Sequence, residues 1–269
     1  MTNTTIPRSA TPDNLTPLYN VYRYDQTNIG DSVLSPLFYF DHLRRGEIID
    51  VEAHNFNQQV ERVRGADVVI GGSLYKNFKP GFEQVRANKP KHLIAWGLGH
   101  NDYGTTEVIL PSFLEEYDLV GLRDYGTKYE WVPCASCMRS ELENVGEPQH
   151  DIVVYDHKSR PLPDTFDQFP RYSNEGNSIG RAMSFLKSGE TILTNSYHGA
   201  YWGILMGRKV VVLNPFSTKF LGLKYPIPQA SAEDWQRAVN NARPFPEALQ
   251  ETRSANRSFA TKVSELIAA

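Results

Sequence analysis

With 269 residues, 40% of them hydrophobic and 22% charged, the chain has room for two Rossmann-sized domains around ordinary globular cores, which excludes wholesale disorder. A net charge of -3 gives no general attraction to nucleic acid or anionic lipid, so any anion site has to be local. No apolar run reaches the roughly 18 residues of a membrane span. The start, Met1 to Pro17, lacks the apolar segment of a secretory peptide, and two cysteines, Cys134 and Cys137, are too few for a disulfide scaffold, so a cytoplasmic protein is expected.

Residues 1–16, rich in Thr, Asn and Pro without hydrophobic period, predict a loose N-terminal arm. Short β-rich apolar runs then alternate with helical patterns: Tyr19 to Tyr24, Ile48 to Val51, Val68 to Ile70, His92 to Trp96, Leu119 to Gly121 and Tyr129 to Val132. Alternation of this kind predicts an α/β fold with parallel sheets covered by helices. A polar Gly/Pro stretch, Asn144 to His150, reads as a linker. Beyond it the theme repeats, with strands at Ile152 to Tyr155, Thr191 to Thr194 and Lys209 to Leu213, and helices at Ser178 to Lys187 and Tyr197 to Met206. Ser231 and Asp234 form a capping-box-like start for a helix through Val239, and Pro246 to Ala269 reads as a last helix. The closing helices are expected to brace the two parts. The division predicted is an arm over 1–16, a first domain over 17–146 and a second over 147–269.

The segment from Thr191 to Gly207 reads as strand, turn and helix, and it carries the most chemistry. Asn195 or Ser196 can cap the helix, and Gly207 suits the left-handed residue that ends it. His198 falls in the first turn, where unpaired N–H groups and the helix dipole favour phosphate or carboxylate. An imidazole there can pass a proton to a bound anion, or simply rest on a backbone carbonyl. In doubly wound folds the carboxyl ends of strands face the ligand crevice. Three small-residue loops would lie on that edge: Asn28-Ile-Gly-Asp31, Gly71-Gly72-Ser73 and Gly97-Leu-Gly99. Gly30 allows a tight turn, and Asp31 either accepts sugar hydroxyls or caps the next helix. Arg123, after an apolar run, sets a fork of donors at another strand end, with Asp124 either holding it or capping a helix; a surface salt bridge is the plainer reading.

Other chemistries lack their residues. Cys134-Ala-Ser-Cys137 has no second ligand pair for zinc and reads better as a small, partly buried turn. His42, His54, His92, His100, His150 and His157 show no metal-binding spacing, no P-loop or Gly-x-Ser-x-Gly elbow is present, and Gly97 to Asp102 lacks the third glycine of a dinucleotide fingerprint.

Taken in order, Asn28-x-Gly-Asp31, Gly71-Gly72, Gly97-x-Gly99, Arg123-Asp124, His198-Gly199 and Lys209-Val-Val-Val-Leu-Asn-Pro215 resemble the polysaccharide pyruvyltransferase family over residues 18–225. The resemblance implies two Rossmann-like domains in a GT-B-like architecture, the first binding an acceptor sugar and the second phosphoenolpyruvate. Pyruvate would pass from phosphoenolpyruvate to a sugar of a bacterial surface polysaccharide, as used in capsule or exopolysaccharide, or to its lipid-linked precursor, forming a ketal. It implies no cofactor, no metal and no nucleic acid, and leaves open the oligomeric state and peripheral docking at the inner membrane. By the same resemblance, His198 and Arg123 are the catalytic candidates. Asn195, Ser196, Tyr197, Gly199 and Lys219 would bind the donor, and Asn28, Gly30, Asp31, Gly72, Ser73, Gly97 and Gly99 the acceptor. Family members often carry a basic residue two places before the histidine, where this chain has Ser196; Arg123, Arg181, Arg208 and Lys219 are the candidates to replace it. The same architecture also suits a glycosyltransferase using a nucleotide sugar, or a glycan-binding protein without catalysis.

Overall fold

The computed structural model of the protein describes residues 15–74 and 79–269, the side chains of Ser73, Leu74 and Lys79 excepted. The arm expected over 1–16 lies outside the described residues as far as residue 14, and the Ser73 side chain lies outside them too. Two all-parallel sheets carry the fold. The first holds β1 (Leu18–Tyr22), β2 (Glu47–Asp50), β3 (Asp67–Leu74), β4 (His92–His100), β5 (Leu119–Leu122) and β6 (Glu130–Trp131), in the order β2-β1-β3-β4-β5-β6. The second holds β7 (His150–Asp156), β8 (Arg171–Ser173), β9 (Gly189–Thr194), β10 (Lys209–Leu213) and β11 (Gln229–Ala230), in the order β11-β10-β9-β7-β8. This is the expected α/β fold with two Rossmann-like sheets.

Continuous apolar runs explain the parallel pairing. Val68, Val69 and Ile70 in β3 and Val211, Val212 and Leu213 in β10 are all fully buried, so successive side chains pointing to opposite faces both meet helices or loops. Strands β8 and β11, three and two residues long, are too short to show a period and escape the sequence reading. The glycine pairs do not end their strands as expected. Register shifts interrupt the ladder between Gly71 and Ser73 and between Trp96 and Leu98, with Gly72 at φ 87° and Gly97 at φ 65°. Each is therefore a bulge inside a strand that runs on, to Leu74 and to His100.

Both sheets start at an interior strand beside one edge and wind outward both ways. β1 lies between β2 and β3, and β7 lies between β8 and β9. The strand order therefore reverses beside β1 and again beside β7, and a crevice opens at the carboxyl ends of those strands. Helices α1 (Phe56–Gln59) and α2 (Lys79–Ala87) follow β2 and β3 in the chain, helices α3 (Ile179–Ser188) and α4 (Tyr197–Leu205) cover the second sheet, and every residue of α4 is buried. One apolar cluster joins Tyr22, Ile29 and Leu34 from the first half to Tyr155, Tyr201 and Trp202 from the second, so the halves share a core.

Helix α5 (Trp235–Asn241) begins after Asp234, whose carboxylate takes a bond from the Ser231 hydroxyl and caps no N–H of the helix. Helix α6 (Ala248–Ala268) returns to the first sheet and packs Phe259, Ala260 and Val263 on Val69, Ile94 and Trp96. The buried Asn256 carboxamide of α6 accepts from the Trp96 indole at 2.9 Å and donates to the Pro133 carbonyl at 3.1 Å. Among the described residues no helix is long and apolar enough to cross a membrane. Phe259 is fully buried, edge-on to Trp96 with ring centroids 5.0 Å apart. Phe259→Ala is expected to lower unfolding free energy by about 3–5 kcal/mol through the cavity it leaves, read from urea denaturation of both proteins.

Candidate active site

At Asp31 the halves meet around one cavity of about 330 Å³ at the carboxyl ends of both sheets. From β1 the chain runs directly into Arg23, whose guanidinium holds Asp31 at 2.8 Å, Glu52 at 2.8 Å and Asp25 at 3.1 Å. Lys158, from the loop after β7, reaches across to Asp25 at 2.6 Å and the Thr27 hydroxyl at 2.7 Å. Asn28 accepts from the Gly30 N–H and from the Asn174 carboxamide, each at 3.1 Å, while the Ile29 N–H donates to the Asn174 carbonyl. The loop 25–31 is thus tied to the second half by side chain and backbone. Burial pushes the Asp31 carboxyl up to about 6, against the pull of Arg23.

On the second sheet, β9 ends at Thr194 and α4 starts at Tyr197. Ser196 is the cap, its hydroxyl accepting from the Gly199 N–H at 3.5 Å. Asn195 does other work: it accepts from the His157 N–H at 2.8 Å and donates to the Arg160 carbonyl at 2.6 Å, which fixes the loop after β7. His198, 8% exposed, lies in the first turn of α4 with its ring 5.0 Å from that of Trp202 and its Nε2 3.6 Å from the Cys134 thiol. Burial, then the charges of Arg123 and Lys219, drive the imidazole down to about 3, so it is neutral at physiological pH.

Gly30 explains how this ring fits. Its backbone is ordinary right-handed helix, φ -67°, so no turn requires a glycine there. What requires it is His198: a Cβ on residue 30 would stand 1.9 Å from the imidazole Nδ1. Gly99 makes the same allowance for Arg123, since a Cβ there would stand 2.2 Å from Nε. Arg123 is 7% exposed and lies over the Tyr197 ring at 4.1 Å. It donates to the His100 carbonyl at 2.9 Å, and its Nε has no partner. Asp124 neither holds Arg123 nor caps a helix, correcting the sequence expectation. It binds the His100 ring at 3.0 Å, and the opposite ring nitrogen meets the Ile109 carbonyl at 2.9 Å.

Lys219 is 7% exposed, with its ammonium 4.0 Å over the Phe216 ring, and Arg160 approaches the other aromatic at the rim, Tyr103, at 5.6 Å and Phe216 at 4.7 Å. Burial and the neighbouring Arg123 lower Lys219 to about 7, although Asp31 works in the opposite sense. Among the described residues none of Arg123, Arg160 and Lys219 has a carboxylate within salt-bridge distance, whereas Arg23 and Lys158 do. Arg123 and Lys219 are buried and Arg160 is exposed; cations gathered without counter-charge repel one another, and an anion placed among them relieves that repulsion. The cavity therefore has two characters. One wall offers paired acids and bases suited to sugar hydroxyls, and the other offers unpaired cations beside a helix N-terminus.

Of the residues singled out by sequence, Asn28, Asp31, Gly72, Gly97, Arg123, Ser196, Tyr197, His198 and Lys219 line the cavity. Gly30, Gly99, Gly199 and Asn195 do not line it but make room for, or fix, neighbouring groups. A Cβ on Gly199 would meet Tyr155 and the Thr194 hydroxyl. Of the four candidates for the missing cation, Arg123 and Lys219 are in the cavity. Arg181 is exposed on α3, and Arg208 donates to the carbonyls of Gly146 and Lys187 instead. Sequence reasoning missed Arg23, His157, Lys158, Arg160, Phe216 and Cys134 in the wall. Four of these stand just past β1 and β7, the strands beside which each sheet reverses, so recognising β7 as the first strand of its sheet would have flagged them.

Gly30→Ala is expected to destabilise the protein by about 1–3 kcal/mol, since overpacking outweighs the gain from a stiffer unfolded chain, and to displace the His198 ring resonances; thermal unfolding and histidine NMR read the two effects. Among solved structures the chain is similar to that of a functionally uncharacterised protein from Klebsiella pneumoniae subsp. pneumoniae NTUH-K2044, at 14% identity and a TM-score of 0.43, covering 83% of this chain and 87% of that one. No curated protein matches. The model of the family described as polysaccharide pyruvyl transferase matches residues 9–217, more than three quarters of the chain, and the protein belongs to that family.

Proposed function

We propose that the protein transfers pyruvate from phosphoenolpyruvate to two hydroxyls of one sugar, in a polysaccharide or its lipid-linked precursor, forming a cyclic ketal. The observation that carries this reading is the set of cations without a carboxylate partner among the described residues, buried Arg123 and Lys219 with exposed Arg160, lining one cavity with Ser196, Tyr197 and His198 at the N-terminus of α4. Phosphoenolpyruvate brings a carboxylate and a phosphate on a three-carbon frame, and its charge matches that set. The wall of Arg23, Asp31, Glu52 and Lys158 supplies both donors and acceptors for the acceptor's hydroxyls.

In this reading the first hydroxyl oxygen bonds to C2 as C3 takes a proton and becomes a methyl group. The C2–O bond to phosphate then breaks, and the second hydroxyl closes the ketal. One hydroxyl proton thus ends on C3 and the other on inorganic phosphate, with no water consumed and nothing oxidised. Asp31, near 6, is suited to accept a hydroxyl proton, and Lys219, near 7, to pass one on. The neutral His198 serves as a hydrogen-bond donor to the departing phosphate, and Arg123 and Arg160 hold the growing negative charge.

The test is phosphate release from phosphoenolpyruvate in the presence of a panel of bacterial glycans, with mass spectrometry of the acceptor. A gain of one pyruvate less one water is expected, and His198→Ala is expected to lower kcat by about 10²–10⁴-fold. Stabilisation by nucleotide sugars with none by phosphoenolpyruvate would overturn the reading. The pH dependence gives a second test. Lys219 is charged below its lowered pKa and neutral above it, so kcat/KM for phosphoenolpyruvate should fall as pH rises through about 7. Lys219→Arg, whose charge does not titrate there, should flatten that limb.

A further inference from the structure

The reaction above gives no part to the Cys134-Ala-Ser-Cys137 turn, yet the turn reaches the imidazole through a directed chain of hydrogen bonds. The Trp202 indole N–H donates to the Ser136 hydroxyl oxygen at 3.0 Å. That oxygen lies 3.2 Å from the Cys134 sulfur, and the sulfur lies 3.6 Å from Nε2 of His198. All four side chains are at least nine-tenths buried.

The indole sets the direction, because it can only donate. Ser136 accepts from it and has no other partner among the described residues than Cys134, so its own hydrogen turns to the sulfur. The thiol hydrogen is then free for Nε2. In the reverse polarity Nε2–H would donate to sulfur and the thiol to Ser136, leaving a buried hydroxyl hydrogen without an acceptor, at a cost of about 1–3 kcal/mol. The charge states agree with the first arrangement. Burial raises the Cys134 thiol, which keeps its hydrogen, and the same burial keeps the imidazole neutral with a lone pair to offer.

The turn is held where the chain needs it. The Tyr201 hydroxyl donates to the Cys134 carbonyl at 2.8 Å, Arg253 Nε donates to the Cys137 carbonyl at 2.9 Å, and Asn256 donates to the Cys137 sulfur at 3.3 Å. Helices α4 and α6 thus grip it together. We propose that Cys134 is a positioning residue: its S–H, oriented by Trp202 through Ser136, binds Nε2 of His198 and fixes the Nδ1–H tautomer, so the ring presents a proton donor to the cavity beside Gly30. The tautomer of a histidine is set by the bond its other nitrogen makes. The importance of that tautomer rests on His198 being the working imidazole of the proposed transfer; its identity does not.

The test is nitrogen-15 NMR of histidine-labelled full-length protein, with the His198 signals assigned by their loss in His198→Gln. Wild type is expected to show a protonated Nδ1 and a bare Nε2, Cys134→Ala to populate the Nε2–H form, and Cys134→Ser, which keeps a donor, to retain the wild-type pattern. An Nε2–H ring in wild type, an unchanged ring in Cys134→Ala, or a serine variant that behaves like alanine would each overturn the proposal. With an active acceptor in hand, kcat of Cys134→Ala should fall about 10-fold while KM for phosphoenolpyruvate holds, and serine should restore it. The spectra need no turnover, so an enzyme inactive on phosphoenolpyruvate would sink the reaction and leave the tautomer assignment standing.

Discussion

The missing Cβ of Gly30 is the space that the His198 imidazole fills, and the cavity depends on that close approach. A side chain at residue 30 would collide with the ring at 1.9 Å, so the two halves could not meet at this depth without moving it. The same contact brings Asp31, the next residue, into the cavity that His198 lines. A carboxylate from one sheet and an imidazole from the other therefore share one solvent pocket although 167 residues separate them in sequence. The first half also lends its Cys134 turn to the imidazole's far edge. His198 is thus held on two sides by residues of the other sheet.

Desolvation and charge act together on the groups in this pocket. Burial alone disfavours every charged form, and it lifts Asp31 while lowering His198, His157 and Lys219. Repulsion among the cations pushes the bases down further. The result is a pocket whose histidines are neutral and whose lysine titrates near neutrality. An incoming anion reverses the second effect, because its charge favours the protonated bases.

The two sheets reach this geometry by the same route. Each begins with an interior strand next to one edge, β1 or β7, and each sends the loop after that strand to the crevice: Arg23 to Asp31 from one, His157 to Arg160 from the other. The bulges at Gly72 and Gly97 interrupt the ladders of β3 and β4, and both glycines line the opening. Helix α6 then closes on the first sheet through Trp96 and Asn256, and its Asn256 and Arg253 hold the Cys134 turn. Stability of the last helix and placement of the His198 ring are thereby coupled.

Sequence alone determined the parallel α/β class, because runs such as Val68 to Ile70 and Val210 to Leu213 are apolar on both faces. It also placed His198 in the first turn of a helix, since Ser196 and Gly207 are local signals that a neighbour in space does not change. Its family resemblance pointed to Arg123, Asp31 and Lys219. Tertiary structure decided the rest. Whether Asn195 or Ser196 caps α4 turned on the loop after β7, whose N–H and carbonyl claim Asn195. Gly30 looked like a turn residue and is a contact residue, because a clash with a ring 168 positions away leaves no trace in local composition. Arg160 and Arg208 are equally basic in the sequence. Only the winding of the second sheet puts the first in the cavity without a carboxylate and the second against backbone carbonyls at the opposite end of α4.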